Sequence, residues 1–190
     1  MKARILIVFI LLSTITAFSQ RDQNFSLVGG FGGPMFSTTK IDQGTSLIIG
    51  GGGAAVFSNN LFIGGFGVGT SDMVSNNATI TGYKDYVIQR EYGGPWVGYI
   101  FRASKRMYLT GSLKAGFGDI WLNNKKENHI IYDDITVFTP QVTIDYRLLN
   151  VVYLSVGASY DQFINTDLLN YNEKYFNKVK LNFSIKFGYY

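Results

Sequence analysis

The 190-residue chain contains no cysteine, only 3 prolines and a single histidine, and only 16% of its residues are charged. Each shortage closes off a class of explanation. Without cysteine there is neither a disulfide framework nor a thiolate metal site. A small exported protein of this kind needs another source of stability, such as a closed hydrogen-bonded sheet. The lone His129, with carboxylates scattered around it, offers no metal-ligand spacing. No concentrated basic patch is visible, so nucleic acid is not an expected partner. What the chain does have is 22 Gly, 15 Phe and 13 Tyr, a composition poor in helix formers and rich in strand-favouring aromatics.

The first residues read as a targeting segment. Lys2 and Arg4 are followed by an apolar run from Ile5 to Leu12, and Ala17-Phe18-Ser19 sets small residues where a signal peptidase reads. Cleavage is expected after Ser19, giving a mature start at Gln20. The run is too short for a membrane-spanning helix, which takes about 20 apolar residues, and no cysteine follows it for lipid attachment. The expected organisation is a signal peptide over 1–19 and one domain over 20–190. Removing Lys2 and Arg4 from 17 basic residues leaves 15 against 13 acidic ones, a net charge of +2 for the mature chain.

Beyond the signal no helical period persists. Apolar residues instead recur every second position in segments separated by polar clusters. Phe138, Pro140, Val142, Ile144, Tyr146 and Leu148 form the clearest such stripe, and Leu181, Phe183, Ile185, Phe187 and Tyr189 form another. The first half is richer in glycine, and its alternation does not fix which face is which. The pattern predicts eight strands near 25–36, 45–57, 61–70, 87–101, 107–122, 135–148, 151–160 and 176–190. Connections after odd strands are long and polar (37–44, 71–86, 123–134 and 161–175). Those after even strands are short. An even strand number with short turns at one rim and long loops at the other is the pattern of a transmembrane barrel. The fold class expected is therefore all-β, an eight-stranded antiparallel up-and-down transmembrane β-barrel with a cleaved signal peptide and both termini on the periplasmic side.

A soluble secreted barrel would turn its apolar face inward around a ligand. Two sequence features favour the opposite orientation. The residues between the apolar ones are mostly Gly, Ser, Thr, Asn and Gln, suited to a crowded polar interior, whereas a watery exterior carries more Lys and Glu. Aromatics also fall into two bands, with Tyr99, Phe101, Tyr146, Phe187 and Tyr189 toward the short turns and Phe117, Phe138 and Tyr160 toward the loops, as interfacial girdles require. Lys114, Asp145, Arg147, Lys180 and Lys186 fall on the inward face and predict an interior charge network plugging the barrel. The aromatic last strand, Leu181, Phe183, Ile185, Phe187, Tyr189 and Tyr190, reads as a membrane-insertion signal, with Tyr190 on the face opposite Tyr189.

The segment Gly93-Gly94-Pro95-Trp96-Val97-Gly98-Tyr99-Ile100-Phe101, the Phe183-x-Ile185-x-Phe187-x-Tyr189 ending, the signal segment and the eight strands together resemble the OmpA/OmpX-like outer-membrane β-barrel domain, in its Bacteroidota-type form. The resemblance implies a bacterial outer-membrane location. It implies as partners outer-membrane lipid, lipopolysaccharide and the outer-membrane assembly machinery, in a monomeric protein. It carries no activity and no cofactor. The peptidoglycan tether of two-domain relatives does not carry over, since no periplasmic domain is seen after the last strand.

Signs of chemistry are weak. Gly50–Gly53 and Gly64-Gly65-Phe66-Gly67-Val68-Gly69 lack the spacing of a nucleotide-binding loop before a helix, and glycine in barrel strands relieves crowding and permits curvature. His129 lies in a predicted loop near Asp133 and Asp134, but no serine follows closely as in lipid A deacylases. The expectation is a non-enzymatic outer-membrane protein with a structural or surface-interaction role through its long loops. The alternatives are a lipid A-modifying acyl hydrolase or acyltransferase, and a soluble secreted ligand-binding barrel.

Overall fold

In the computed structural model the described residues are 26–41, 44–71, 86–124, 130–164 and 176–189. They form eight strands: β1 (Leu27–Ile41), β2 (Gly44–Phe57), β3 (Leu61–Thr70), β4 (Tyr86–Arg102), β5 (Met107–Asn124), β6 (Ile130–Leu149), β7 (Val152–Ile164) and β8 (Lys178–Tyr189). Each pairs antiparallel with its sequence neighbours, and β8 returns to β1 through pairs such as Phe36↔Phe183 and Gly32↔Phe187. The sheet is a closed barrel, which leaves no edge strand to be satisfied by another chain. The expected cleavage residues Ala17, Ser19 and Gln20, as well as Tyr190, lie outside the described residues.

The strands run further toward the loop rim than the sequence pattern predicts. Thr38, Thr39 and Lys40, read from sequence as loop, pair with Leu47, Ser46 and Thr45. Asp133 and Asp134 pair with Ile120 and Asp119. Asp161, placed at the start of a loop by its charge, lies in β7 opposite Lys178. The reason is that ladder hydrogen bonds are indifferent to side-chain polarity once a neighbouring strand is in place. Turn chemistry holds the other rim. Asn60 adopts a left-handed φ of 64°, which asparagine tolerates, and its N–H donates to Phe57 O at 2.9 Å.

Side chains are distributed inside out relative to a water-soluble barrel. Leu109, Leu113, Phe117, Val142, Ile144, Val156, Leu181, Phe183 and Phe187 are exposed on the outside. Ile185 shares that outer register and is half-buried. The inner surface carries Lys114, Asp145, Asp161, Lys180 and Lys186, all buried. It is not uniformly polar, however. In β1 to β4 several aromatics turn inward: Phe31, Phe62 and Trp96 meet edge to face with centroids 5.2 to 5.4 Å apart. The expectation of a polar interior is corrected for this half of the barrel. Glycine on facing strands makes the room, because large rings fit a narrow barrel only beside positions with no side chain.

Gly98 shows this most directly. A Cβ there would lie 2.5 Å from Cζ of Phe62 and 2.6 Å from Gly111 O, whereas a Cβ at Gly111 would meet nothing within 4 Å. Gly98→Ala is therefore expected to destabilise the refolded barrel by about 1–3 kcal/mol through overpacking, and Gly111→Ala to change stability by less than about 0.5 kcal/mol. Urea unfolding followed by gel mobility checks both. Equal effects would show that the inward rings are not what requires Gly98.

Candidate functional site: the barrel interior and the loop-side rim

Two carboxylates organise the interior. In the turn-side half, Asp145 (β6) receives Lys186 (β8), whose Nζ stands 2.8 Å from Oδ2 and 3.0 Å from Oδ1. Thr110 (β5) donates to Oδ2 at 2.7 Å, and Ser155 (β7) and Thr143 donate to Oδ1. Four consecutive strands thus converge on one fully buried carboxylate, the donors being hydroxyls on the inward register of β5, β6 and β7 and the ammonium of Lys186 on β8. A buried charge is tolerated when it is paired and its remaining lone pairs are satisfied, as these are.

In the loop-side half, Asp161 (β7) pairs with Lys180 (β8) at 2.7 Å. Thr139 donates to it at 2.7 Å and Tyr92 Oη at 3.1 Å, while Lys180 Nζ donates to Tyr92 Oη at 2.9 Å. Arg90 (β4) reaches the same carboxylate only at 3.9 Å. Its guanidinium lies over the Phe163 ring at 5.5 Å, and among the described residues its Nε and Nη2 have no hydrogen-bond partner. The structure thus brings Lys114, Asp145, Lys180 and Lys186 into the interior but divides them. Lys114 lies between the two carboxylate clusters, joined to neither by a salt bridge among the described residues. Arg147 is not part of either cluster. It shares their register but sits at the turn-side rim, where its Nη2 donates to Lys105 O at 2.9 Å.

Sequence reading missed Asp161, Arg90 and Tyr92. Asp161 continues the inward alternation Tyr153, Ser155, Gly157, Ser159, and carrying that parity one step further finds it. Arg90 and Tyr92 lie on a strand whose two faces are both partly apolar, so parity alone does not place them.

On the outer surface the apolar band stops sharply at the loop side. Lys40, Glu91, Asp119 and Asp134 are the first outward charges above it. Tyr132 donates to Asp119 at 2.6 Å, and this hydrogen bond pushes the exposed phenol up to about 12. Trp121 Nε1 donates to Gln89 at 2.7 Å. A shallow outer groove of about 700 Å³ runs over Gly67, Gly69 and Gly93 between Ile49 and Phe117. Inside, two cavities of only about 10 Å³ each adjoin Lys114, space for about one water apiece. The interior is packed, with no continuous aqueous channel among the described residues. His129 lies outside the described residues, and among the described residues no group of three or more metal-ligating side chains occurs.

No protein-family model and no curated protein matches the chain. Solved structures do match. Neisserial surface protein A is similar over 84% of this chain and 95% of its own, with 8% identity and a TM-score of 0.56. The N-terminal β-barrel domain of Pseudomonas aeruginosa OprF covers 84% of this chain and 97% of its own, with 7% identity and a TM-score of 0.56. Ail, the attachment invasion locus protein of Yersinia pestis, covers 85% and 97%, with 14% identity and a TM-score of 0.50. At these identities the likeness is one of fold. The chain has the eight-stranded barrel fold of these proteins.

Proposed function

We propose that the mature chain is an integral outer-membrane protein of a Gram-negative bacterium, non-enzymatic, with a structural or surface-interaction role. The observation that carries this reading is the uncharged outer band. On β5 the outward positions from Met107 to Phe117 are Met, Leu, Gly, Leu, Ala and Phe, and the next is Asp119. Ten residues of strand at ~3.3 Å each give about 33 Å. A tilt of about 40° reduces that to roughly 25 Å, the apolar height of an outer-membrane barrel. The outward stripes of β6, β7 and β8 are uncharged over comparable lengths. Exposed apolar area of this extent is not left to water by a soluble monomer.

The interior supports a plugged barrel over a porin, since ion pairs and rings fill it. The surface-interaction half of the proposal rests on the long loops after β3 and β7, which fall outside the described residues, and on the company this fold keeps, including a protein named for attachment and invasion. The narrower assignment, to the Bacteroidota-type OmpA/OmpX-like domain, rests on the Gly93–Phe101 segment and the Phe183–Tyr189 stripe. That stripe is the part offered to the assembly machinery in this reading.

Fractionation of the native producer, or of a Gram-negative host expressing the full precursor, tests the location. The protein is expected in the outer-membrane pellet, with mobility on a gel that shifts on boiling as a closed barrel opens. Recovery from the soluble periplasm overturns the proposal. A lipid A-modifying activity requires a serine hydroxyl acting with His129; unchanged lipid A on overexpression supports the non-enzymatic reading, and a deacylated or transacylated product removes it.

A further inference from the structure

We infer that the barrel interior holds one small monovalent anion, a halide, beside Lys114. The inference is independent of where the protein resides. Four cations, Arg90, Lys114, Lys180 and Lys186, are buried with two carboxylates, Asp145 and Asp161. Lys186 takes Asp145, while Lys180 and Arg90 share Asp161. Among the described residues Lys114 has no carboxylate partner. Its Nζ lies 4.7 Å from the Trp96 ring centroid and 5.2 Å from that of Phe66, and among the described residues its one hydrogen-bond acceptor is the thioether of Met35 at 3.6 Å. Ring faces and a thioether are weak acceptors. They soften a buried ammonium without neutralising it, and an uncompensated buried charge costs several kcal/mol.

The space beside Lys114 has the chemistry of an anion site. One of the two interior cavities is lined by Lys114, Lys186, Trp96, Asn182, Ser184 and Gln141. With Ser37 also on the wall, that is two ammonium groups, an indole N–H, two amides and two hydroxyls, with no carboxylate in the lining. Trp96 is buried and its Nε1 has no acceptor, so a donor, which must otherwise go unsatisfied at a cost, borders the cavity. Gln141 Oε1 also lacks a partner. Turning that amide over presents its NH2 instead, an exchange the geometry leaves open. The cavity holds about one water. A chloride or bromide has about two to three times the volume of that water, so seating one requires the wall to give, and Met35 on that wall is the most adaptable of core side chains. Polyatomic anions such as sulfate do not fit.

Trp96 makes the site observable. It is one of two tryptophans, and Trp121→Phe leaves it as the sole indole reporter. The mature protein carrying Trp121→Phe is refolded into detergent with sodium bromide replacing sodium gluconate at constant ionic strength. Bromide is expected to quench Trp96 along a saturating curve, and Lys114→Met to weaken the saturable component at least about tenfold. Purely linear quenching, or a saturable component that Lys114→Met leaves intact, overturns the inference. Crystals of the unsubstituted protein grown in bromide give a second reading that does not depend on the variant folding. An anomalous peak in contact with Lys114 Nζ and Trp96 Nε1 is expected, and ordinary water density there, without anomalous signal, sinks the proposal.

Discussion

Asp145→Ala in the refolded barrel is expected to lower unfolding stability by about 3–5 kcal/mol, the cost of stranding a buried partner charge. The carboxylate is completely buried and accepts from Lys186, Thr110, Thr143 and Ser155. Removing it leaves an ammonium and three hydroxyls facing each other across the lumen. Lys186 has no second carboxylate within salt-bridge reach among the described residues, since Asp161 is taken by Lys180 and Arg90. The decisive variant is the double substitution Asp145→Ala with Lys186→Met, which removes both charges and keeps the lysine's stem volume. It should recover most of the loss, because a buried ion pair and its apolar isostere differ little in net stability. Equilibrium urea unfolding in detergent or vesicles, read by gel mobility and tryptophan fluorescence, measures all three proteins. A double variant no more stable than Asp145→Ala alone would show that the hydroxyls, rather than Lys186, carry the interaction.

The second large effect concerns the outside. Leu113 and Val142 are exposed, lie near the middle of β5 and β6, and point away from the lumen. In a bilayer, arginine at the midplane of a lipid-facing strand costs about 2–4 kcal/mol, falling toward zero near the interfaces. Leu113→Arg and Val142→Arg are thus each expected to destabilise the protein by that amount in phospholipid vesicles. Leu148→Arg, at the turn-side end of β6, should cost less than about 1 kcal/mol. In water the same exposed positions would tolerate arginine within about 0.5 kcal/mol, so a depth-independent, near-neutral result contradicts the membrane reading. Depth dependence is the signature to look for. Packing defects do not scale with distance from the bilayer centre, whereas the desolvation of a guanidinium does.

How much of this was legible in advance varies by strand. In β5 through β8 one face is plainly apolar and the other is mostly Gly, Ser, Thr, Asn and charge, with inward apolar side chains such as Tyr108, Val137, Tyr153 and Phe163 among them, so alternation fixed both the strands and the side on which Lys114, Asp145, Lys180 and Lys186 lie. In β1 through β4 both faces mix glycine with large apolar groups. Phe31, Phe62, Phe66 and Trp96 have the same hydropathy whether they face lipid or lumen. Only the register, which places Gly98, Gly116 and Gly52 across from those rings, decides that they turn inward. Arginine at position 147 shows the converse error. Its parity is inward, but parity does not say how far along the strand the lumen ends, and at the rim a backbone carbonyl, Lys105 O, serves it.

The sequence by itself determined that this chain makes eight strands, that the turns after the even strands are short, and that the stripe from Leu181 to Tyr189 shares one face. Those properties are local: each follows from a period of two or from turn composition. The sequence overstated the other rim, where only residues 42–43 separate β1 from β2 and 125–129 separate β5 from β6. Tertiary structure decided which carboxylate serves which cation, and that among the described residues one buried lysine, Lys114, is served by none. Asp161 meets Arg90 and Tyr92 from residues about 70 positions away, and Lys114 is stranded between pairs it does not join. Closure of the barrel fixes the stagger of every strand at once. The neighbours of an inward side chain across the lumen are therefore set by the whole ladder and cannot be read from any one segment.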